Sequence, residues 1–247
     1  MRKKAEDITD LQPMPDGIQD IARIIPIRTE TAINQFPFYR LSKGKEPVQI
    51  AIVTENKRGK VSTRWEVSAN QKYGHPGSLA YKLDTLLINR LIDEMRPNVP
   101  EVLKLGSLRD IAAELNCGKD TNLIKKALHQ NASAYITADL LFQGNDGTEK
   151  EFKFGATRYE VIFYGEKLPN GKRADAVYIV FHRSYHELLR HARTRPLDYG
   201  YLKELPPSSQ RLYELIAPQI FSALKNDHPR AKYSYSEFCQ RAPPRRT

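Results

Sequence analysis

The sequence predicts an α+β fold in which a helix-turn-helix stands among β-hairpins. Three observations predict it. Two short stretches with apolar spacings of three and four, Leu108, Ile111, Ala112 and Leu115, then Leu123, Ile124, Ala127 and Leu128, lie on either side of Gly118. Directly after them, residues 134–143 and 151–156 form apolar-rich runs joined by GNDG, whose residues tolerate positive φ. Two further hairpin patterns lie at 47–68 and 158–181. A helix-turn-helix followed at once by a strand is how a reading helix with a trailing wing looks in sequence.

The elements can be justified in chain order. Residues 1–35 are polar, with Pro13, Pro15 and Gly17 and a short apolar patch at 21–27, and read as a loose arm. At 47–68, Val61, Thr63, Trp65 and Val67 alternate with polar residues after a connection containing Gly59, which predicts a hairpin. Ser78 can cap a helix running toward Met95, with Leu79, Leu83, Leu86, Leu87 and Leu91 as its apolar stripe and Pro97 beyond its end. In the helix-turn-helix, Ser107 caps the first helix with Asp110 three residues on, a short-armed capping box, and Gly118 supplies the turn. The second helix begins near Asp120 or Thr121.

After the 134–156 hairpin, the candidate wing, a second hairpin spans 158–164 and 174–181 around KLPNGKR. Its tip carries Lys167, Lys172 and Arg173, whereas the first tip sets Asp146 and Glu149 beside Lys150, so the second is the better phosphate contact. Tyr185, Leu188, Leu189 and Ala192 mark a short helix. The prolines of RTRPLDYGYLKELPP read as a linker, and a last helix runs over 208–224 with Leu212, Leu215, Ile216 and Leu224 on one face and Pro218 forcing a kink or break.

Composition narrows the partners. A formal net charge of +10 favours a polyanion, because a basic surface gains from counterion release and long-range steering. Double-stranded DNA is the expected partner. No apolar run approaches the length of a membrane span, and the N-terminal MRKKAEDITD lacks the apolar core of a signal peptide, so no membrane role and a cytoplasmic location are expected. Cys117 and Cys239 are too few for a disulfide framework or a thiolate metal site.

On the second helix of the motif, Asn122, Lys125, Lys126 and His129 fall opposite the apolar stripe, with Lys119 in the turn before it. Asn pairs bidentately with an adenine edge and Lys reaches guanine or phosphate, so this face suits a major groove; an ordinary solvated helix surface would look the same. The expected DNA-binding set is Lys119, Asn122, Lys125, Lys126, His129, Lys167, Lys172 and Arg173.

Catalysis is not expected. None of the Gly-Lys pairs is followed by Ser or Thr, so a phosphate-cradling ATPase loop is absent. The one catalytic-looking cluster is FHRSYHELLRH, where His182 and His186 flank Tyr185; a rolling-circle nickase would need two metal-binding His and a Tyr nucleophile. The plainer reading makes Tyr185 core and both His polar edge residues. No cofactor and no metal are expected.

At LGSLRDIAAEL, KKALHQNASAYITA, RYEVIFYGEKLPNGKRADAVYIVF, TRPLDYGYLKELPPSSQRLYELI and YSYSEFCQR the chain resembles, segment after segment over 36–241, the plasmid replication initiators of the replication initiator A type. The resemblance implies winged-helix modules in tandem that recognise origin repeats, distort the duplex and recruit host helicase or polymerase components without catalysis. After the flexible arm that composition gives at 1–35, it implies a winged-helix DNA-binding domain at 36–205, and at 206–247 a connecting helix with the truncated start of a second winged-helix module. In such proteins the first module often serves dimerisation or backbone contact and the second reads bases, which competes with a reading face at 122–129. A winged-helix transcriptional regulator is the alternative, because one fold serves both tasks.

Overall fold

The computed structural model describes residues 26–41, 50–55, 61–167 and 173–227, with Tyr235 and Arg241. The architecture is α+β, with helices packed against antiparallel sheets. One sheet has the order β2-β3-β5-β6, from β2 (Ile50–Glu55), β3 (Val61–Ser68), β5 (Tyr135–Gln143) and β6 (Glu149–Ala156). A second has the order β4-β8-β7, from β4 (Val102–Ser107), β7 (Tyr159–Lys167) and β8 (Arg173–Phe181). A third pairs β1 (Pro26–Glu30) with β9 (Thr194–Asp198).

The leucine stripe at 78–95 forms a continuous helical run: α1 (Ser78–Lys82), a π-helical turn (Leu83–Ile88) and α2 (Asn89–Glu94). All six residues of the π turn are buried. Against them pack α3 (Leu108–Glu114) and α4 (Thr121–Ser133), and the core closes with Trp65, Ile136, Leu140, Val177 and Ile179 from the two larger sheets. Trp65 stacks on Phe36 at 5.2 Å and donates its indole N–H to the Pro37 carbonyl at 2.7 Å. A buried indole needs such a partner.

Two sequence expectations give way here, and two others meet detail that spacing does not show. Residues 26–35, read as part of a loose arm, are core: Ile27, Thr29, Glu30, Ala32 and Ile33 are buried, and β1 pairs with β9. Residues 1–25 of that arm lie outside the described residues. The segment taken for a linker by its prolines contains β9 and α6 (Tyr199–Glu204); Pro196 sits opposite Arg28 in a two-stranded ladder, where a missing N–H is tolerated.

The last helix, α7 (Pro207–Lys225), runs through Pro218 without a break. Its buried side is more polar than the apolar spacing implied: Gln210, Arg211 and Glu214 are buried beside Leu215, while Leu212 faces solvent. Arg211 donates to the Asn34 and Phe36 carbonyls and pairs with Glu214 at 3.3 Å, so those charges are satisfied inside the fold. Finally, the candidate wing at 134–156 belongs to the four-stranded sheet through β3–β5 pairing, and its tip is held down: the Asn145 N–H donates to the His191 carbonyl at 3.0 Å and Arg193 Nε to the Gly144 carbonyl at 3.0 Å.

Candidate nucleic-acid interface

The local chemistry that builds α3 and α4 is the one the residues announce. Ser107 accepts from the Asp110 N–H at 3.1 Å while the Ser107 N–H donates to the Asp110 carboxylate at 3.2 Å, completing the capping box. The turn uses two left-handed residues, Asn116 at φ 53° and Gly118 at φ 70°, and Asp120 then caps α4 by accepting from the Asn122 N–H at 2.9 Å. Ile124, Ala127 and Leu128 are buried as their spacing predicts.

Leu123 is not. It is 48% exposed, and the fourth buried position belongs to Asn131, whose amide donates to the Ala80 carbonyl at 2.9 Å and to Asp84 at 3.0 Å. The helix is therefore rotated toward its C-terminal polar anchor, which leaves Leu123 beside Asn122 and Lys126 on the outer face.

Lys119, Asn122 and Lys126 are exposed, on the turn and the first half of α4. Lys125 and His129 lie lower on the helix flank and are half-buried against β7: the Lys125 ammonium stands 5.8 Å from the Phe163 ring centre and the His129 ring 5.3 Å from it. The His129 ring also stacks on Tyr73 at 4.5 Å with 10° between planes. Burial, then the neighbouring Lys72 and Lys125, push the His129 pKa down from its ordinary value. His129 is thus an edge residue packed against two rings, and the exposed polar side chains among these lie on the N-terminal half of α4 and the turn before it. Tyr73 and Lys72 were missed from sequence because their approach to α4 depends on the turn after β3.

Lys167 and Arg173 face each other as the last pair of the β7–β8 ladder, which places both at the outer end of that hairpin. Lys172 lies outside the described residues. The hairpin is fixed beside the helix-turn-helix because β8 also pairs with β4, the strand that runs straight into α3.

The His182, Tyr185 and His186 cluster disperses on α5 (Arg183–His191). His182 caps the helix by accepting from the Ser184 N–H at 3.3 Å, His186 donates to the buried Val99 carbonyl at 2.7 Å, and Tyr185 is buried with its hydroxyl pKa pushed up by desolvation. Among the described residues no group of three or more His, Cys, Asp or Glu is arranged to hold a metal ion, and no helix is long and apolar enough to cross a membrane.

No protein-family model matches the chain, and no curated protein matches it. Among solved structures the chain is similar to domains 2 and 3 of RctB, with a TM-score of 0.43 and 14% identity over 84% of this chain and 80% of that one. The functional reading rests on the chain's own geometry and sequence.

Proposed function

We propose that this chain is a winged-helix protein that binds double-stranded DNA and acts, without catalysis, as a plasmid replication initiator. One observation carries the reading. A helical run, β4, α3, α4, β7 and β8 follow in order, and β8 inserts between β4 and β7. That pairing holds the β7–β8 hairpin beside the helix-turn-helix, which supports taking it as the wing, with β5 and β6 as an insertion between reading helix and wing.

In this reading the exposed N-terminal half of α4 enters the major groove. Asn122 and Lys126 face base edges, while Lys119 and the wing residues Lys167, Lys172 and Arg173 meet phosphates. The narrower assignment to initiators rests on the ordered segments that resemble that family, and it carries recognition of origin repeats, recruitment of host replication proteins and a cytoplasmic setting. Its domain plan keeps a central winged-helix domain, which now takes in β1.

A competition assay tests it, with repeats from the cognate origin against scrambled duplex of equal length. Affinity is expected to fall steeply with salt, Asn122→Ala to cost about 1–3 kcal/mol on the true site and relax one base position, and Lys167→Ala to weaken all sequences alike. Affinity that barely changes with salt would overturn the phosphate-contact reading. Nicking of supercoiled origin DNA in Mg²⁺, abolished by Tyr185→Phe, would replace it with a nuclease.

A further inference from the structure

The turn after β3 is attached to α4 rather than lying free on the surface. Gly74 adopts φ 75° and donates its N–H to the Asn70 carbonyl at 2.8 Å, the Lys72 N–H donates to the Asn70 side chain at 2.9 Å, and Gln130 on α4 donates to the Tyr73 carbonyl at 3.0 Å. These bonds hold Lys72 and Tyr73 against the flank of α4. Around the Tyr73 and Phe163 rings stand three basic groups: the Lys72 ammonium 5.3 Å from the Tyr73 centre, the Lys125 ammonium 5.8 Å from the Phe163 centre, and the His129 imidazole 4.5 Å from the first ring and 5.3 Å from the second.

Among the described residues no carboxylate pairs with Lys72 or Lys125. His129 faces Lys125 on its own helix, Lys72 and Tyr73 on the turn, and the uncharged Phe163 on β7. Like charges gathered without a counter-charge disfavour one another until an anion enters. Two ammonium groups and an imidazole offer charge-assisted donors suited to a phosphate oxyanion.

We infer that Lys72, Lys125 and His129 form a subsite for a backbone phosphate of duplex DNA, and that filling it takes up a proton on His129. The inference rests on the DNA-binding reading and extends the interface from the helix-turn-helix to the turn after β3. The sign follows from linkage. In the free chain burial and the two lysines disfavour the imidazolium of His129; an entering phosphate offsets the lysines and favours it. Binding therefore tightens as pH falls through the interval between the free and the bound pKa of His129.

The test is an NMR titration of the His129 ring in the full chain, free, with saturating mixed-sequence duplex, and with inorganic phosphate, alongside binding measured across pH at constant ionic strength. The expected result is a raised His129 pKa in the duplex complex, with affinity gaining up to about tenfold for each unit of rise. Inorganic phosphate is expected to produce a smaller rise. His129→Gln is expected to remove this part of the pH dependence and to weaken binding most at low pH. Lys72→Ala is expected to raise the pKa of His129 in the free chain and to lower the salt slope by about one. A chain that binds duplex with an unmoved His129 pKa overturns the subsite and leaves the DNA-binding reading standing, as does a rise caused by inorganic phosphate and not by duplex. Failure to bind any duplex overturns both.

Discussion

Asp84 joins the helices to the sheet. One of its oxygens accepts from Tyr159 at 2.7 Å and from Asn131 at 3.0 Å, and the other accepts from Arg158 and Tyr39, all within the core. The Arg158 guanidinium also lies 3.9 Å from the Phe38 ring centre. Removing one member of a buried pair strands the other charge, so Asp84→Ala is expected to cost about 3–5 kcal/mol in urea unfolding; a loss within about 1 kcal/mol would show that Arg158 finds another partner. None of this was legible beforehand, because Asp84 sits within a leucine stripe and its partners are 45 to 75 residues away. The same carboxylate explains the error at Leu123. Apolar spacing could not know that Asn131 would be drawn inward by a bond to Asp84.

Glu114 binds several helices together at the end of α3. It accepts from Tyr199 on α6 at 2.6 Å, and lies 3.4 Å from both Arg90 on α2 and Lys203 on α6. The Tyr199 hydroxyl bond, with Lys203 and Arg90, holds its carboxyl below the usual range despite an opposing effect of burial. A folded carboxyl held below its unfolded value of about 4.3 adds stability that is present above that value and lost as pH falls through the folded one. Glu114→Gln is therefore expected to lower Tm at neutral pH and to leave it unchanged in acid below the folded pKa; an equal drop at both would assign the loss to packing. At this scale the sequence was most readable where signals are local. Ser107 with Asp110, Gly118, and the alternation at Trp65 each carry their geometry within a few residues. The strand at 194–198 was not readable, because Pro196 resembles a linker residue until its partner on β1 is known.

Across the whole molecule, the β1–β9 ladder ties the first described residues to residues 194–198. The Thr31 N–H and hydroxyl both donate to the Arg193 carbonyl, and Ile27 is buried where the ladder meets α2. Ile27→Ala is expected to cost about 2–5 kcal/mol in equilibrium unfolding; a change under about 0.5 kcal/mol would mean that this ladder contributes little to the fold. The fold class was visible in the sequence, whereas the sheet each hairpin joins was not: β5 and β6 pair onto β3, and β8 pairs with the distant β4, neither of which hairpin spacing can show. The β1–β9 ladder also sets a schedule. Thr31 and Arg193 are 162 residues apart, so at about 5–20 residues per second β1 leaves the ribosome roughly ten to thirty seconds before its partner is made. Through that interval the backbone edge of β1 is open to any other strand, and the nascent chain depends on whatever shields it until β9 arrives.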